Sequence, residues 1–407
     1  MINTPFLDLY NSYASDQTDA PKLYHQAMGY MVLSSIVNKK VWVPFGSYKL
    51  YPNLYLLIIG PSSLHRKSWS QKIGLRLIRE IYPEFEIQET SSRESFISEI
   101  SENERTPFGT GIIAIDELKG FMDRVKSSRF FGGFLQDLSS IYDGNDIRRR
   151  VGVEAKTKEN YKVEDPFLNF TACCSFDWLS ESIASSDLAG GFFSRFIWSS
   201  CSTPVSDPWP EPKPYNQEKR DILIGKLTRI KEFIGAATWD AEATSFYERW
   251  YKDFRTHNQG GRWDGSYERL TTTVKKLAML NAVSRVECTS QELSPQIHIE
   301  LTDLDQAIRF SLRTISHFKD VSIGNSPIDI LTQKVAKKIM EKTRVAHSSL
   351  LQTVRGLTAK DLDQVMKTLI DGEMVKVVEE ENAALSGRKY RSIHYEARNT
   401  INDILNN

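Results

Sequence analysis

The chain has few cysteines and no excess of either charge. Its four cysteines, Cys173, Cys174, Cys201 and Cys288, include no C-x-x-C pair, so neither a zinc site nor a disulfide framework is indicated. Lys plus Arg and Asp plus Glu both number 52, which excludes a global basic charge as the source of nucleic-acid binding. Any such contact has to come from a local basic patch.

Long hydrophobic runs are also missing. No apolar stretch reaches the roughly 20 residues that cross a bilayer. The first residues, MINTPFLDLYNSYASD, lack the basic and apolar regions of a signal peptide. We therefore expect a cytoplasmic protein without a membrane segment. The 407 residues suffice for two or three domains with a sizeable core.

Four short apolar runs are typical of buried parallel strands. They read LYLLII, GTGIIAIDEL, PFLNFTACCS and RFIWSSCS, and the segment KSWSQKIGLRLIREIY after the first has helical spacing. Strands that alternate with helices predict an α/β sheet with crossover helices. Cys173 and Cys174 lie in the third run, where we expect them to be buried as small hydrophobic residues.

Two breaks divide the chain. The proline-rich segment TPVSDPWPEPKPY (203–215) ends the α/β part, and GNSP (324–327) ends a helical part. After the second break the pattern predicts three helices and a β-hairpin, which is the order of a winged helix. The predicted division is a helical N-terminal segment (1–45), an α/β core (46–205), a helical lid (206–323) and a winged-helix domain (324–407).

Residues 59–70, IGPSSLHRKSWS, resemble a phosphate-binding loop that lacks one glycine. The usual pattern G-x-x-x-x-G-K-[ST] has glycine directly before the lysine, whereas this chain has Arg66 there and one extra residue after Gly60. The context fits such a loop, because a buried strand precedes it and a helix follows. Lys67 would reach the phosphates and Ser68 would bind Mg²⁺. Arg66 either adds a phosphate contact or forms a surface salt bridge.

A second motif follows at IIAIDEL. Four apolar residues run into Asp116 and Glu117, which is the arrangement in which an aspartate holds Mg²⁺ and a glutamate polarises the attacking water. The alternative is a buried strand whose end is acidic for no catalytic reason. The preceding loop favours the catalytic interpretation.

These motifs resemble the AAA+ module of the minichromosome-maintenance helicases. The stretches AIDEL and SRF match that family's Walker B and arginine-finger motifs, so Arg195 would be carried into a neighbouring subunit's site. The segment YERLTTTVKKLAMLNAVSRV resembles the lid helix, with Arg269 as the sensor-2 arginine and Lys276 as a second basic residue. Sensor 1 would be Ser175 or Thr171, near the end of NFTACCS.

The loop GPSSLHRKS itself resembles a group of phage and mobile-element P-loop proteins whose Walker A reads GPS followed by RKS or RKT. The two resemblances together imply a P-loop NTPase of AAA+ type that binds ATP and Mg²⁺ between subunits of a ring, most simply a hexamer, and acts as a replicative helicase or translocase on single-stranded DNA. The residues that would bind the nucleotide are Gly60, Pro61, Ser62, Ser63, Arg66, Lys67, Ser68, Ser175 and Arg269. Glu117, Arg195 and Lys67 would be catalytic, and Ser68 and Asp116 would hold the metal.

The most basic stretch of the core, residues 142–166, is expected to form a hairpin. Its basic residues, together with Lys389 in the hairpin of the last domain, are candidates for DNA contact: Arg148, Arg149, Arg150, Lys156 and Lys158. The alternative is a solvated charged surface. The last domain adds Lys360, Lys367, Arg388 and Arg391, although a winged helix can equally contact protein.

Two other functions fit the same residues. A non-hydrolysing, nucleotide-dependent initiator or scaffold is favoured by the missing glycine of the loop. A regulator built around the winged helix is the third alternative. Glu117 and Arg195 favour the enzyme.

Overall fold

The computed structural model describes residues 4–397 except 62–64, 88–91, 103–108, 128, 151–159, 177, 180–190, 202–215, 258–263, 287–295, 323–326, 343, 355, 372–374 and 384–388. The chain forms two compact units. The first comprises Met1–Leu179 and Ser186–Lys319, and the second comprises Ser180–Ser185 and Asp320–Asn407. The four-part division made from the sequence stays a prediction.

The first unit contains both helices and strands. The helices described there are α1 (Phe6–Ser15), α2 (Lys22–Val37), α3 (Lys67–Ile81), α4 (Arg93–Glu102), α5 (Leu118–Ser127), α6 (Phe134–Tyr142), α7 (Gln217–Ile230), α8 (Ala241–His257), α9 (Asp264–Arg285) and α10 (Leu301–Ser322). The strands described there are β1 (Val41–Phe45), β2 (Tyr48–Leu50), β3 (Tyr55–Ile59), β4 (Thr110–Ile115), β5 (Ile147–Arg150), β6 (Asn160–Val163), β7 (Phe167–Cys174), β8 (Phe196–Ser200), β9 (Gly235–Ala236), β10 (Thr238–Trp239) and β11 (His298–Ile299).

A four-stranded, all-parallel sheet forms the centre of this unit and confirms the predicted α/β class. Its order is β4–β7–β3–β8, with Leu57 of β3 opposite Ala172 on one side and Trp198 on the other. Every residue of β3 and β7 is buried, as expected for continuous apolar runs covered on both faces. Because all four strands run the same way, the segments that follow β3, β4 and β7 meet at one edge of the sheet.

Helix α2 lies inside the first unit. Almost all of its residues are buried, and its polar side chains bind core groups. The Ser34 hydroxyl donates to the carbonyl oxygen of Pro52 at 2.7 Å and contacts the Asn169 side chain at 2.9 Å. Burial on every face explains why the segment shows no polar stripe.

Two antiparallel hairpins accompany the central sheet. One is β1–β2, which the sequence analysis does not predict. The other is β5–β6, in which Ile147 pairs with Val163. The second confirms the hairpin predicted within 142–166, and its tip, with Lys156 and Lys158, lies outside the described residues.

The second unit has the three predicted helices and the predicted hairpin. They are α11 (Pro327–Lys342), α12 (His347–Thr353), α13 (Ala359–Asp371), and the strands β13 (Val375–Ala383) and β14 (Lys389–Ala397). A short strand that the sequence analysis does not predict, β12 (Arg344–Ala346), pairs with β14. Apolar side chains of the helices, β12 and β14 form a core of their own.

Within the described ranges, no helix combines the length and the apolar character that a bilayer crossing needs.

Candidate functional site

The loop after β3 begins at a position that admits only glycine. The Gly60 amide donates to the carbonyl oxygen of Cys174 at 3.3 Å, so the loop leaves the sheet in register with β7. A Cβ atom on Gly60 would lie 2.3 Å from the Tyr24 hydroxyl oxygen. Tyr24 is fully buried in α2, and its hydroxyl donates to the Ile59 carbonyl at 2.5 Å, so the ring has no room to retreat.

Arg66 has the backbone conformation that glycine would supply. Its φ of 45° and ψ of 40° are left-handed, and α3 begins at the next residue. A left-handed residue next to right-handed ones turns successive N–H groups toward one concave side, which suits an anion at a helix N-terminus. The loop therefore keeps the backbone geometry although it lacks the glycine.

The Arg66 side chain is used as a salt bridge. Its Nε lies 2.5 Å from a carboxylate oxygen of Asp19, a nearly buried residue between α1 and α2. Of the two roles considered for this guanidinium, the structure shows the salt bridge.

Lys67 closes the loop. Its amine donates to the carbonyl oxygens of Gly60 at 2.9 Å and Pro61 at 2.7 Å, and burial lowers the pKa of this amine. A cation held at the start of the loop is placed to meet negative charge there. Ser68 follows in the first turn of α3, half-buried, while Ser62 and Ser63 lie outside the described residues.

The acidic pair follows β4 at the same edge of the sheet. Asp116 lies 3.5 Å from the Lys72 amine, and both side chains are about half exposed. Lys72 comes four residues after Ser68, so the two share one face of α3 and Asp116 lies against that face. Glu117 is exposed beside it.

Gln71, which is not predicted from the sequence as a site residue, holds these parts together. The Gln71 side-chain amide donates to the carbonyl oxygen of Ile115 at 3.3 Å and to the Thr171 hydroxyl at 3.2 Å, which ties α3 to β4 and β7. Burial raises the pKa of the Cys173 thiol to about 12; Asp116 raises it further, and Lys67 and Lys72 lower it. Charges from the loop, from α3 and from β4 therefore converge at the end of β7.

Of the two sensor-1 candidates, only Ser175 is at the edge. Thr171 is fully buried between Gln71 and the Met28 sulfur, and the choice of a sensor-1 residue stays a prediction. The half-buried Ser175 follows β7, between the loop and the acids, and its hydroxyl accepts from the Trp178 amide at 3.4 Å.

A cavity of about 480 Å³ lies beyond β4. Glu86, Asp116, Glu117 and Arg124 contribute its charged groups, and Ile113 and Phe121 are among its apolar residues.

Arg195 and Arg269 are at the opposite edge of the sheet. Arg195 precedes β8, whose first residue is paired with Tyr55 at the start of β3. At about 3.3 Å per residue, the five residues of β3 put roughly 16 Å between this edge and Gly60. The structure therefore does not bring either arginine to the loop of its own chain.

Both arginines are held by neighbouring groups. The Arg195 guanidinium is buried and pairs with the Asp143 carboxylate, with Nε to Oδ1 at 3.2 Å, and donates to the Gly191 carbonyl. Arg269 donates to the Ser194 hydroxyl at 2.8 Å. Burial, and then the positive charge of Arg195, lower the pKa of Arg269. The role of Asp143 as a partner of Arg195 is not predicted from the sequence, because the two residues are about 50 positions apart and no local pattern links them.

The predicted basic residues lie on hairpins and on α13. Arg148, Arg149 and Arg150 belong to β5, Lys389 begins β14, and Arg391 follows in that strand. Lys360 and Lys367 are exposed on α13, and Arg388 lies outside the described residues.

Comparison with protein-family models and with curated proteins finds no match for this chain.

Proposed function

We propose that this chain is a P-loop ATPase of AAA+ type that moves on or opens DNA as a ring. The observation that carries the proposal is the convergence at one sheet edge. Arg66 is left-handed ahead of Lys67 and Ser68, and Asp116 and Glu117 follow a parallel strand of the same sheet. Phosphate ligands suit such an edge, because helix N-termini and ligand-binding loops gather at the carboxyl ends of parallel strands.

The residues present fit ATP and Mg²⁺. No group of three metal-ligating side chains is found among the described residues, which suits an ion that binds mainly through phosphate oxygens and water. Ser68 and Asp116 would hold it, Lys67 would bind the phosphates, and Ser175 would place a hydroxyl between them. Bound ATP and Mg²⁺ would supply the scissile phosphoanhydride and charge neutralisation, and Glu117 would orient water.

The distance between the two edges supports the proposal of a ring. Arg195 and Arg269 cannot serve the loop of their own chain, so as nucleotide-binding residues they would act on a neighbour. The ion pair between the buried Arg195 and the exposed Asp143 would then have to open. The helical segments after residue 216 would be the lid.

DNA would contact the β5–β6 hairpin and the second unit. The net charge of the chain is zero, so binding would depend on local positive charge. The arginines of β5 and the basic residues of α13 and β14 supply it. The order of helices and hairpin in the second unit favours the winged-helix assignment. The resemblance of the loop points to a phage or mobile element, and to replication.

Lys67→Ala and Glu117→Gln test the nucleotide site. We expect Lys67→Ala to lose ATP binding in calorimetry, because the phosphates lose their cation. Glu117→Gln should keep binding and lose turnover, because only the carboxylate that orients water is removed. Lys119→Ala, an exposed residue paired with Asp123, is the matched control. Equal ATP affinity for wild type and Lys67→Ala would contradict the proposal.

A non-hydrolysing scaffold is the second candidate. It is favoured by the pairing of Asp116 with Lys72, since that ion pair occupies the carboxylate a metal would need. It predicts ATP-dependent assembly without phosphate release in the presence of single-stranded DNA. Steady-state turnover that rises with DNA would exclude it.

A further inference from the structure

The tip of the β1–β2 hairpin exposes two aromatic rings. Phe45 and Tyr48 are directly opposite each other across the two-residue turn Gly46–Ser47, and directly opposite residues share a face of the hairpin. Tyr48 is 76% exposed and Phe45 is 44% exposed. Gly46 has a positive φ of 61°, as short hairpin turns require, and no other atom lies within 4 Å of where its Cβ would be. The tip therefore projects into open space.

Lysine amines lie against the rings of this hairpin. Lys49 is 4.0 Å from the centre of the Trp42 ring on one face. Lys275 of α9 is 4.4 Å from the centre of the Phe45 ring and 4.9 Å from that of Tyr247. In the part of the chain that the structure describes, no carboxylate forms an ion pair with Lys49 or Lys275. Successive residues of a strand face opposite sides, so Lys275 shares a face of the hairpin with Phe45 and Tyr48, and Lys49 lies with Trp42 on the other face.

The base of this hairpin meets the base of the β5–β6 hairpin. The Lys39 amine donates to the carbonyl oxygen of Asp165 at 3.1 Å, and the Tyr51 hydroxyl donates to the Asp165 carboxylate at 2.9 Å. Asp165 follows β6, and its amide donates to the carboxylate of Asp146, just before β5, at 3.0 Å. The two hairpins are therefore joined at their bases.

We propose that Phe45, Tyr48 and Lys275 form a stacking site for single-stranded nucleic acid. Bases would stack on the two rings and the Lys275 amine would meet a phosphate. The inference deepens the proposed function, since it rests on nucleic-acid binding by this protein and adds a binding surface outside the predicted basic residues.

A nucleic acid fits this patch better than a protein surface does. An apolar partner would have to cover rings that carry an amine against them, and desolvating that charge is unfavourable. A single strand complements the patch, because it presents negative charge and flat π faces at short, regular intervals.

Fluorescence anisotropy with labelled oligothymidylate, with the corresponding RNA and with an abasic strand of equal length tests the site. Tyr48→Ala should weaken binding of the thymidine strand about 10-fold, while Tyr48→Phe, which keeps the ring, should bind like wild type. The slope of affinity against salt should stay unchanged in Tyr48→Ala. It should fall by about 0.7 in Lys275→Gln if that amine meets one phosphate.

The abasic strand separates stacking from charge. Wild type should bind it about 10-fold more weakly than oligothymidylate, and Tyr48→Ala should bind the two strands with similar affinity. Phe130→Ala is the matched control, because Phe130 is also an exposed aromatic with a cation, Arg129, over its ring.

The outcomes distinguish this inference from the proposed function. If wild type binds oligothymidylate and Tyr48→Ala and Phe45→Ala bind it equally well, the stacking site is wrong and DNA binding stands. If light scattering shows a smaller oligomer for Tyr48→Ala at unchanged DNA affinity, the tip contacts another subunit and the inference is wrong. If wild type binds no single strand at all, nucleic-acid binding itself fails. Comparison of oligothymidylate with the corresponding RNA shows whether the site prefers DNA or RNA.

Discussion

Arg66 maintains a backbone conformation that residues with a Cβ avoid. The left-handed region costs a non-glycine residue about 1–2 kcal/mol, and the salt bridge with Asp19 holds this residue in place. Arg66 therefore replaces the usual glycine of the loop without changing the shape of the backbone.

Replacing Arg66 by glycine and by alanine separates the two effects. Both variants lose the salt bridge, but only alanine retains the unfavourable φ. We expect Arg66→Gly to be more stable than Arg66→Ala by about 1 kcal/mol, measured by urea denaturation. Asp19→Asn, which removes the carboxylate and leaves residue 66 unchanged, is the control. Equal stability of the two variants would show that the φ at this position carries no strain.

Gly60 and Tyr24 fit each other closely enough to be tested as a pair. Gly60→Ala should destabilise the protein by about 2 kcal/mol, because the new methyl group would overlap the Tyr24 hydroxyl. Tyr24→Phe removes that oxygen, so we expect the double variant to be more stable than the sum of the single effects predicts. A double-mutant cycle of unfolding free energies measures this coupling. Additive effects would mean that the clash lies elsewhere.

At the scale of helices and strands, α9 connects the two arginines to the core through a buried lysine. The Lys276 amine donates to the backbone and side-chain oxygens of Asn53 at 2.9 and 2.8 Å, and Asn53 donates to the Tyr142 carbonyl at 3.0 Å. Tyr142 is followed by Asp143, which holds Arg195. The position of the arginine pair thus depends on how α9 packs beside the start of β3.

This lysine predicts a pH dependence of stability. Burial lowers the pKa of Lys276 to about 7, so between that value and roughly 10.4 the unfolded chain binds a proton that the folded chain has released. The unfolding free energy should therefore rise with pH across this interval, by about 5 kcal/mol at most. Denaturation of wild type and Lys276→Met at several pH values measures the difference. Parallel curves would show that the buried amine stays charged.

The elements that the sequence predicts are those with a local signal. The apolar runs of β3 and β7 and the helix after the loop are visible because each is continuous in sequence. The left-handed Arg66, the burial of α2 and the β1–β2 hairpin depend on tertiary neighbours, so periodicity does not reveal them. Ser68 and Lys72 are four residues apart and so share one face of α3. This spacing indicates that the same face meets the acidic pair only once α3 is known to lie beside β4.

At the scale of the whole molecule, substitutions at the two edges of the sheet should give complementary defects. Arg195→Ala should bind ATP nearly as wild type does and hydrolyse it about 10³-fold more slowly or worse, because in the proposed ring the arginine would meet charge that develops in the transition state. Lys67→Ala should have the opposite defect. A mixture of the two should recover activity at interfaces that pair an intact loop with an intact arginine. Co-assembled mixtures as inactive as either variant would contradict a shared site.

In the proposed ring, the ion pair between Arg195 and Asp143 would have a consequence for how subunits join. A subunit without a neighbour would keep this guanidinium neutralised, so it would present no unsatisfied cation to unrelated anions. A neighbour's nucleotide would have to outcompete Asp143, and that exchange would couple occupancy of one subunit to attachment of the next. By linkage the coupling is reciprocal: whatever affinity nucleotide adds to the contact, the contact adds to nucleotide binding.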